Sequence, residues 1–214
     1  MLSLTCQYRS RTNKAQLLLT SQQAIEWAIS KDVDVISLSL VTFSNTPNLT
    51  KAIRAAADKD IVIISSTADE GMSPPRGGTD AKNHKNDVFT IAACTQWGRL
   101  LEYSQNDDDN YRFVGHNVYV GQVPYLKSQD TISGSSVATA IAAGTASLAL
   151  ACYRISGNFE AQEEFQRRRR LVRSIFDKML VDGQRYAKLE NFCGKDKNLA
   201  EASFMATARE HFRV

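Results

Sequence analysis

The 214-residue chain contains no uninterrupted apolar run of the roughly 18 residues that a membrane span needs. Val137 to Cys152 comes closest, but it is short and rich in alanine, so no membrane association is expected. The opening residues, MLSLTCQYRSR, lack a long apolar core, so no secretory signal is expected. Cysteine is scarce: Cys6, Cys94, Cys152 and Cys193 lie far apart with no CxxC pair. That spacing excludes common zinc sites and argues for unpaired thiols in a reducing, cytoplasmic setting. The net charge of +3 is too small to argue for nucleic acid as a partner. No P-loop, GxGxxG motif, zinc spacing or internal repeat appears, so neither cofactor nor metal is expected. Histidine occurs at only three positions, His84, His116 and His211.

What is present suits one globular domain, or one domain with an appendage. Met1 to Leu17 shows no clear period and reads as an irregular lead-in. Thr20 or Ser21 then caps a helix whose inward face carries Ala24, Ile25, Ala28 and Ile29. Val33 to Leu40 is a β-branched run that suits a strand buried on both faces, and Ile61 to Ser66 and Val88 to Cys94 repeat the pattern. A helix over Leu49 to Lys59 joins the first two strands. This alternation predicts a parallel sheet with crossover helices. Short strands are expected at Tyr111–Phe113 and Val118–Val120. An amphipathic helix or helix pair is expected within Glu160 to Lys188, and a last helix within Leu199 to Phe212.

One stretch concentrates the chemistry: Thr131 to Cys152, TISGSSVATAIAAGTASLALAC. A turn of small residues runs directly into a helix that is apolar all round and therefore belongs in a core. A hydroxyl placed at such a junction sits beside free first-turn N–H groups and the positive end of the helix dipole, which suit a developing oxyanion. An N-cap serine on a core helix has the same local signature.

Gly134-Ser135-Ser136-Val137-Ala138-Thr139-Ala140 resembles the nucleophile segment of the subtilisin-like serine proteases, with Ser136 in the nucleophile position. Ile25-Glu26-Trp27-Ala28-Ile29, Asp34-Val35-Ile36, Ser39-Leu40, Ile61 to Gly71 and Val88 to Ala93 follow that family's order and spacing over about Ser21 to Ile155. The resemblance implies a three-layer α/β fold, with a mostly parallel sheet and helices on both faces. It further implies truncation at the N-terminus and a helical C-terminal extension. The implied division is a lead-in over 1–17, a partial subtilisin-like domain over 18–156 and the extension over 157–214. It also implies a peptide- or protein-binding cleft formed by Ser39, Leu40, Val41, Ser66, Thr67, Ala68, Gly134 and Ser135.

The same resemblance marks departures. Serine acyl transfer needs a base, a group that orients the base, and oxyanion donors. The family's Asp and His precede the helix matched by Gln23 to Ile29, and no histidine lies there in this chain. The family's oxyanion asparagine falls at Asp69, and an ionised carboxylate only accepts hydrogen bonds. Val41 replaces a cleft glycine and narrows the pocket mouth, and Ala68 replaces another. His116, in Gly115-His116-Asn117, is a speculative catalytic candidate whose loop setting favours a structural role. The implied function is a serine endopeptidase domain that is inactive by itself. The alternatives are a peptidase-derived binding or scaffold protein, and an enzyme of another class that recruits Ser136, Asp69 or His116. An open sheet edge is expected to drive self-association unless Met1 to Leu17 fills it.

Two charged runs need a bland reading beside the functional one. Asn106 to Asn110 has oxygen ligands suited to Ca²⁺ but not the spacing of a known loop, so a solvated acidic turn is expected. Arg167 to Arg170 suits an acidic partner, yet following Glu163 and Glu164 it reads as a solvated helix face.

Overall fold

The computed structural model describes residues 2–4, 14–39, 47–67, 87–102, 109–119, 121, 131–155 and 168–193. Five parallel strands lie in chain order: β1 (Leu2–Leu4), β2 (Val35–Leu38), β3 (Val62–Ser66), β4 (Val88–Cys94) and β5 (Tyr111–Val114). Register is fixed by Leu2 opposite Ile36, Val35 opposite Val62, Ile63 opposite Val88 and Ile91 opposite Tyr111. β6 (Val118–Tyr119) and β7 (Thr131–Ile132) form a small antiparallel ribbon.

Helices cover both faces. On one side lie α1 (Lys14–Ser30) and α2 (Pro47–Asp58). Their Ile25, Ala28, Leu49, Ala52, Ile53 and Ala56 share a core with Ile36, Leu38, Ile63 and Val88. On the other side lie α3 (Ser135–Ile155) and α4 (Arg168–Met179). Their Ala138, Ala142, Ala146, Val172 and Phe176 share a core with Val35, Val62, Ile64, Phe89 and Ile91. Along β3, Val62 and Ile64 therefore face one layer while Ile63 faces the other, as a pleated strand requires. Burial on both faces explains why the strands read as unbroken apolar runs. The three-layer α/β arrangement is the one expected from the sequence.

Several local expectations change. α1 begins at Lys14, so Ser21 is a buried residue inside the helix rather than its cap. Leu2–Leu4, assigned to an irregular lead-in, form the strand that lies beside β2. α3 spans 21 residues and is long and apolar enough to cross a membrane by length and composition, so shortness does not exclude it as a span. Its apolarity is accounted for by its place on the sheet, where alanines let it pack closely against β2 to β5. The region 160–167, with Glu163, Glu164 and Arg167, and the helix expected within Leu199 to Phe212 lie outside the described residues.

Arg168, Arg169, Asp109 and Asn110 of the two charged runs are structural, whereas Arg170 is exposed, as expected of a solvated face. Arg168 is only 3% exposed and donates to Asp34 Oδ1 (2.9 Å) and to the Lys59 carbonyl (3.1 Å). Arg169 pairs with Asp60 (3.0 Å) and Asp87 (3.1 Å). Asp34, Asp60 and Asp87 stand just ahead of β2, β3 and β4, so α4 is anchored at the N-terminal ends of three strands. Arg168 and Arg169 are therefore not a solvated face. Nor is Asp109 part of a solvated turn: its side chain is fully buried between Arg112 (2.7 Å) and Arg185 (2.9 Å). Asn110 Oδ1 accepts from the N–H and hydroxyl of Thr90, which ties the same turn to β4. Asn106, Asp107 and Asp108 lie outside the described residues.

After α4 the chain turns back through Gly183, and Arg185 to Ala187 take up the outer edge of β5. Arg112 N–H donates to the Arg185 carbonyl (2.7 Å), and Ala187 N–H donates to the Arg112 carbonyl (2.9 Å). α5 (Leu189–Cys193) follows.

Candidate functional site

The site forms at the C-terminal ends of the strands, where open parallel sheets place their ligand crevices. β5 ends at Gly115, whose carbonyl accepts the Gly134 N–H (2.8 Å). A Cβ on Gly115 would lie 2.8 Å from both the Ala93 Cβ and the Gly134 oxygen, so only glycine lets these backbones approach. Gly134 itself has φ 143°, a conformation that disfavours a side chain. Its carbonyl accepts from Val137 N–H (3.0 Å) and Ala138 N–H (3.2 Å), which makes it the N-cap of α3. Ser135 and Ser136 are thus the first two helical residues. Successive helical residues point in different directions, and here Ser135 is fully buried while Ser136 is exposed.

The buried serine is bonded to the sheet. Ser135 Oγ accepts the Ala93 N–H of β4 (3.1 Å) and shares a hydrogen bond with Thr67 Oγ1 (3.1 Å). Its own carbonyl accepts from Thr139 Oγ1 (2.7 Å), back-bonding the first turn of α3. The location follows from the ladder. Thr67 N–H donates to the Ile91 carbonyl (2.9 Å), the last regular bond between the β3 and β4 chains. A parallel ladder would next carry Ala93 N–H to the Thr67 carbonyl. Ser135 Oγ takes that N–H instead.

The exposed Ser136 makes no hydrogen bond to a histidine or carboxylate among the described residues. As the second residue of the helix, its N–H has no intrahelical acceptor and points out of the positive end of α3. His116 is also exposed, but its Nδ1 lies 3.5 Å from Ser133 Oγ, and it makes no bond to Ser136. Ser133 Oγ accepts the Asn117 N–H (2.8 Å), which fixes the mouth of the β6–β7 ribbon. The geometry therefore joins His116 to Ser133, not to the nucleophile position.

Of the cleft residues expected from the sequence, Ser39 is half-buried just beyond β2, and Ser66 and Thr67 are buried at the end of β3. Gly134 and Ser135 meet this wall through the Ser135–Thr67 bond. Leu40, Val41, Ala68 and Asp69 lie outside the described residues, as do His84 and His211. No cluster of three or more metal-ligating side chains occurs among the described residues. Cys94, beside the site on β4, is a buried free thiol, and burial pushes its pKa up to about 12, so it carries negligible thiolate near neutral pH. Gly115 and the contacts of Ser135 were not singled out in the sequence; the only local signal was the glycine before His116.

An exposed serine thus stands at the second position of a buried helix, at the carboxyl end of a three-layer parallel sheet. The model of the subtilase family, Peptidase_S8, matches residues 7–194, and the chain belongs to that family. Its curated relatives include a thermostable alkaline protease of Halalkalibacterium halodurans, 26% identical over 66% of this chain and 38% of the relative. Another is an intracellular serine protease of Paenibacillus polymyxa, 29% identical over 59% of this chain and 39% of the relative. The chain thus matches about two-fifths of the length of each. Among solved structures, the prenylagaramide maturation protease PagA superposes with a TM-score of 0.64 at 17% identity, covering 97% of this chain and 71% of that one. The PatG macrocyclase in complex with peptide gives 0.60 at 14% identity, covering 82% of this chain and 55% of that one. At these identities the two structures speak to the fold.

Proposed function

We propose that this chain carries the nucleophile half of a subtilase-type serine endopeptidase site, with Ser136 as the attacking residue and a peptide as the ligand of the cleft. The reading rests on one observation: Ser136 is exposed beside the point where the described β3–β4 ladder ends, at the positive end of α3. There the Ser136 N–H is an oxyanion donor and Ser66 and Thr67 form a cleft wall; Asp69, outside the described residues, takes the family's second oxyanion position by the sequence resemblance alone. Among the described residues no histidine or carboxylate is bonded to Ser136, so we propose that the chain is inactive by itself. Added base should then substitute for the missing histidine.

The test is labelling of the 214-residue chain by a fluorophosphonate, with and without imidazole. We expect no labelling alone, slow labelling with imidazole, and none in Ser136→Ala. Labelling without imidazole that disappears in Ser136→Ala would show that the chain holds its own base. No labelling of folded protein under either condition would favour a peptidase-derived binding protein. Titration with peptides would then be the decisive measurement.

An intracellular setting belongs to the same proposal, supported by Cys94 and Cys152, buried cysteines that form no disulfide. Recovery of either residue in a disulfide from the native source would refute it. Self-association is also proposed. Leu2–Leu4 cover the edge of β2 that was expected to be open, so the proposal rests on the shorter edge of β1, beside which no strand lies among the described residues. A monomer by light scattering would count against it.

A further inference from the structure

We propose that Thr67 and Ser135 are positioning residues for Ser136. Together they form a two-hydroxyl latch that holds the crevice wall and the nucleophile turn as one rigid piece. The functional half of this inference rests on the peptidase reading of Ser136; the structural half does not.

The latch sits where two strands stop pairing. The described β3–β4 ladder ends at Thr67, and the end of a ladder exposes backbone groups that need partners. Here the exposed donor is Ala93 N–H, and its acceptor is the Ser135 hydroxyl, 3.1 Å away. Thr67 Oγ1, just past the end of β3, bonds the same oxygen at 3.1 Å. One buried oxygen therefore ties together three segments: the end of β3, the end of β4 and the first turn of α3. Ser135 is fully buried and Thr67 is 8% exposed, so water competes little for these bonds. Ser136 is the next residue along the helix, and the wall residue Ser66 is the one before Thr67. A movement of either hydroxyl is thus passed directly to the two surfaces that a substrate would touch.

The division of labour between adjacent serines follows. Ser136 faces the crevice and is available for chemistry. Ser135 faces the sheet, where its hydroxyl accepts the Ala93 N–H and shares a hydrogen bond with the Thr67 hydroxyl. Gly115 completes the support from the other side by allowing its carbonyl to hold Gly134 N–H at 2.8 Å.

The variants are Thr67→Val, which keeps the shape and removes one hydroxyl, Thr67→Ser, which restores it, and Ser135→Ala. Two readouts are taken on the full chain. The first is amide hydrogen exchange resolved by residue. Ser135→Ala should lower protection at Ala93 about tenfold, because its acceptor is gone. Thr67→Val should lower protection over Gly134 to Ala138, leave Ile63 and Ile64 in the middle of β3 unchanged, and be reversed in Thr67→Ser. A uniform fall across the sheet, or no change at all, overturns the latch. The second readout is imidazole-dependent fluorophosphonate labelling, which should slow by about tenfold or more in Thr67→Val and recover in Thr67→Ser. If exchange responds locally while wild type is never labelled, the latch stands and the peptidase reading fails. If wild type is labelled and Thr67→Val is labelled equally fast, the peptidase reading stands and the positioning role is overturned.

Discussion

Phe176→Ala should destabilise the whole domain and not only its C-terminal segment. Phe176 lies on α4, beyond the boundary expected for the α/β domain, yet it is completely buried. Its ring makes edge contacts with Phe89 of β4 at 5.8 Å, Tyr111 of β5 at 5.2 Å and Phe113 of β5 at 5.1 Å. Truncating a buried phenylalanine costs about 3–5 kcal/mol, and each ring pair lost contributes ~0.5–1.5 kcal/mol beyond area alone. The upper half of the first range is the better expectation, because three rings lose a partner at once. For a domain of this size roughly 2–4 °C of melting temperature goes with each kcal/mol, so a fall on the order of 10–15 °C is expected. Phe176→Leu restores most of the volume and should fall between the two. The assay is thermal unfolding followed by far-ultraviolet circular dichroism and by tyrosine fluorescence on the same samples. One coincident transition, shifted in both probes, is the expected result. Two separate transitions, with the sheet melting at its wild-type temperature, would refute the view that α4 and the sheet share one core.

Three further outcomes follow from the same contacts. Gly115→Ala should cost about 1–3 kcal/mol in chemical unfolding, because the new Cβ would lie 2.8 Å from the Ala93 Cβ and the Gly134 oxygen; a neutral result would show that the β5 end can retreat. Asp109→Ala leaves Arg112 and Arg185 facing a buried space, and should cost about 2–3 kcal/mol, less than a fully buried pair because Arg185 is half-exposed; urea unfolding with an unchanged midpoint would refute it. Burial raises the pKa of Asp34, but hydrogen bonds and charge from Arg154 and Arg168 outweigh it, and the net pKa lies below the usual 3.8. A lowered native pKa stabilises the fold above the unfolded value and loses that contribution as pH falls through the native one, so the melting-temperature gap between wild type and Asp34→Asn should be constant near neutral pH and close below about pH 4; a gap that widens on acidification would contradict the sign.

Which features were legible in the sequence depends on whether they repeat along the chain or arise only across it. β2, β3 and β4 are β-branched runs buried on both faces, and such runs announce themselves without any alignment. α3 is equally plain, because a long segment of Ala, Leu, Ile and small polar residues has no other place in a fold than the core. β1 was invisible because Leu2-Ser3-Leu4 is too short to show a period, and only its pairing with Ile36 to Leu38 defines it. Arg185-Tyr186-Ala187 has no strand pattern either; it becomes a sheet edge because the Gly183 turn returns it to β5. Arg168 and Asp109 were misjudged for a common reason. Charge predicts exposure only until partners are counted, and their partners lie 134 and 76 residues away. At the site, Ser136, Ser135 and Thr67 were each named from the resemblance. The bond between the last two, across 68 residues, needed the fold.

The arrangement of charge and hydroxyl along the sheet explains how these features work together. Asp34, Asp60 and Asp87 stand ahead of their strands and hold Arg154, Arg168 and Arg169 at the N-terminal side of the sheet. Thr67, Ser135 and Ser136 stand at the opposite side, where the strands end. α3 connects the two sides: its first turn carries the serines, and its last turn carries Arg154. At about 1.5 Å per residue, its 21 residues span roughly 30 Å. That distance exceeds several screening lengths of ~8 Å at physiological ionic strength, so the arginine clusters cannot set the electrostatics around Ser136. α3 is clamped by the Arg154 ion pair at one end and by the Ser135 hydroxyl at the other. The bonds of Ser135 to Ala93 and Thr67 fix the turn in which Ser136 stands exposed.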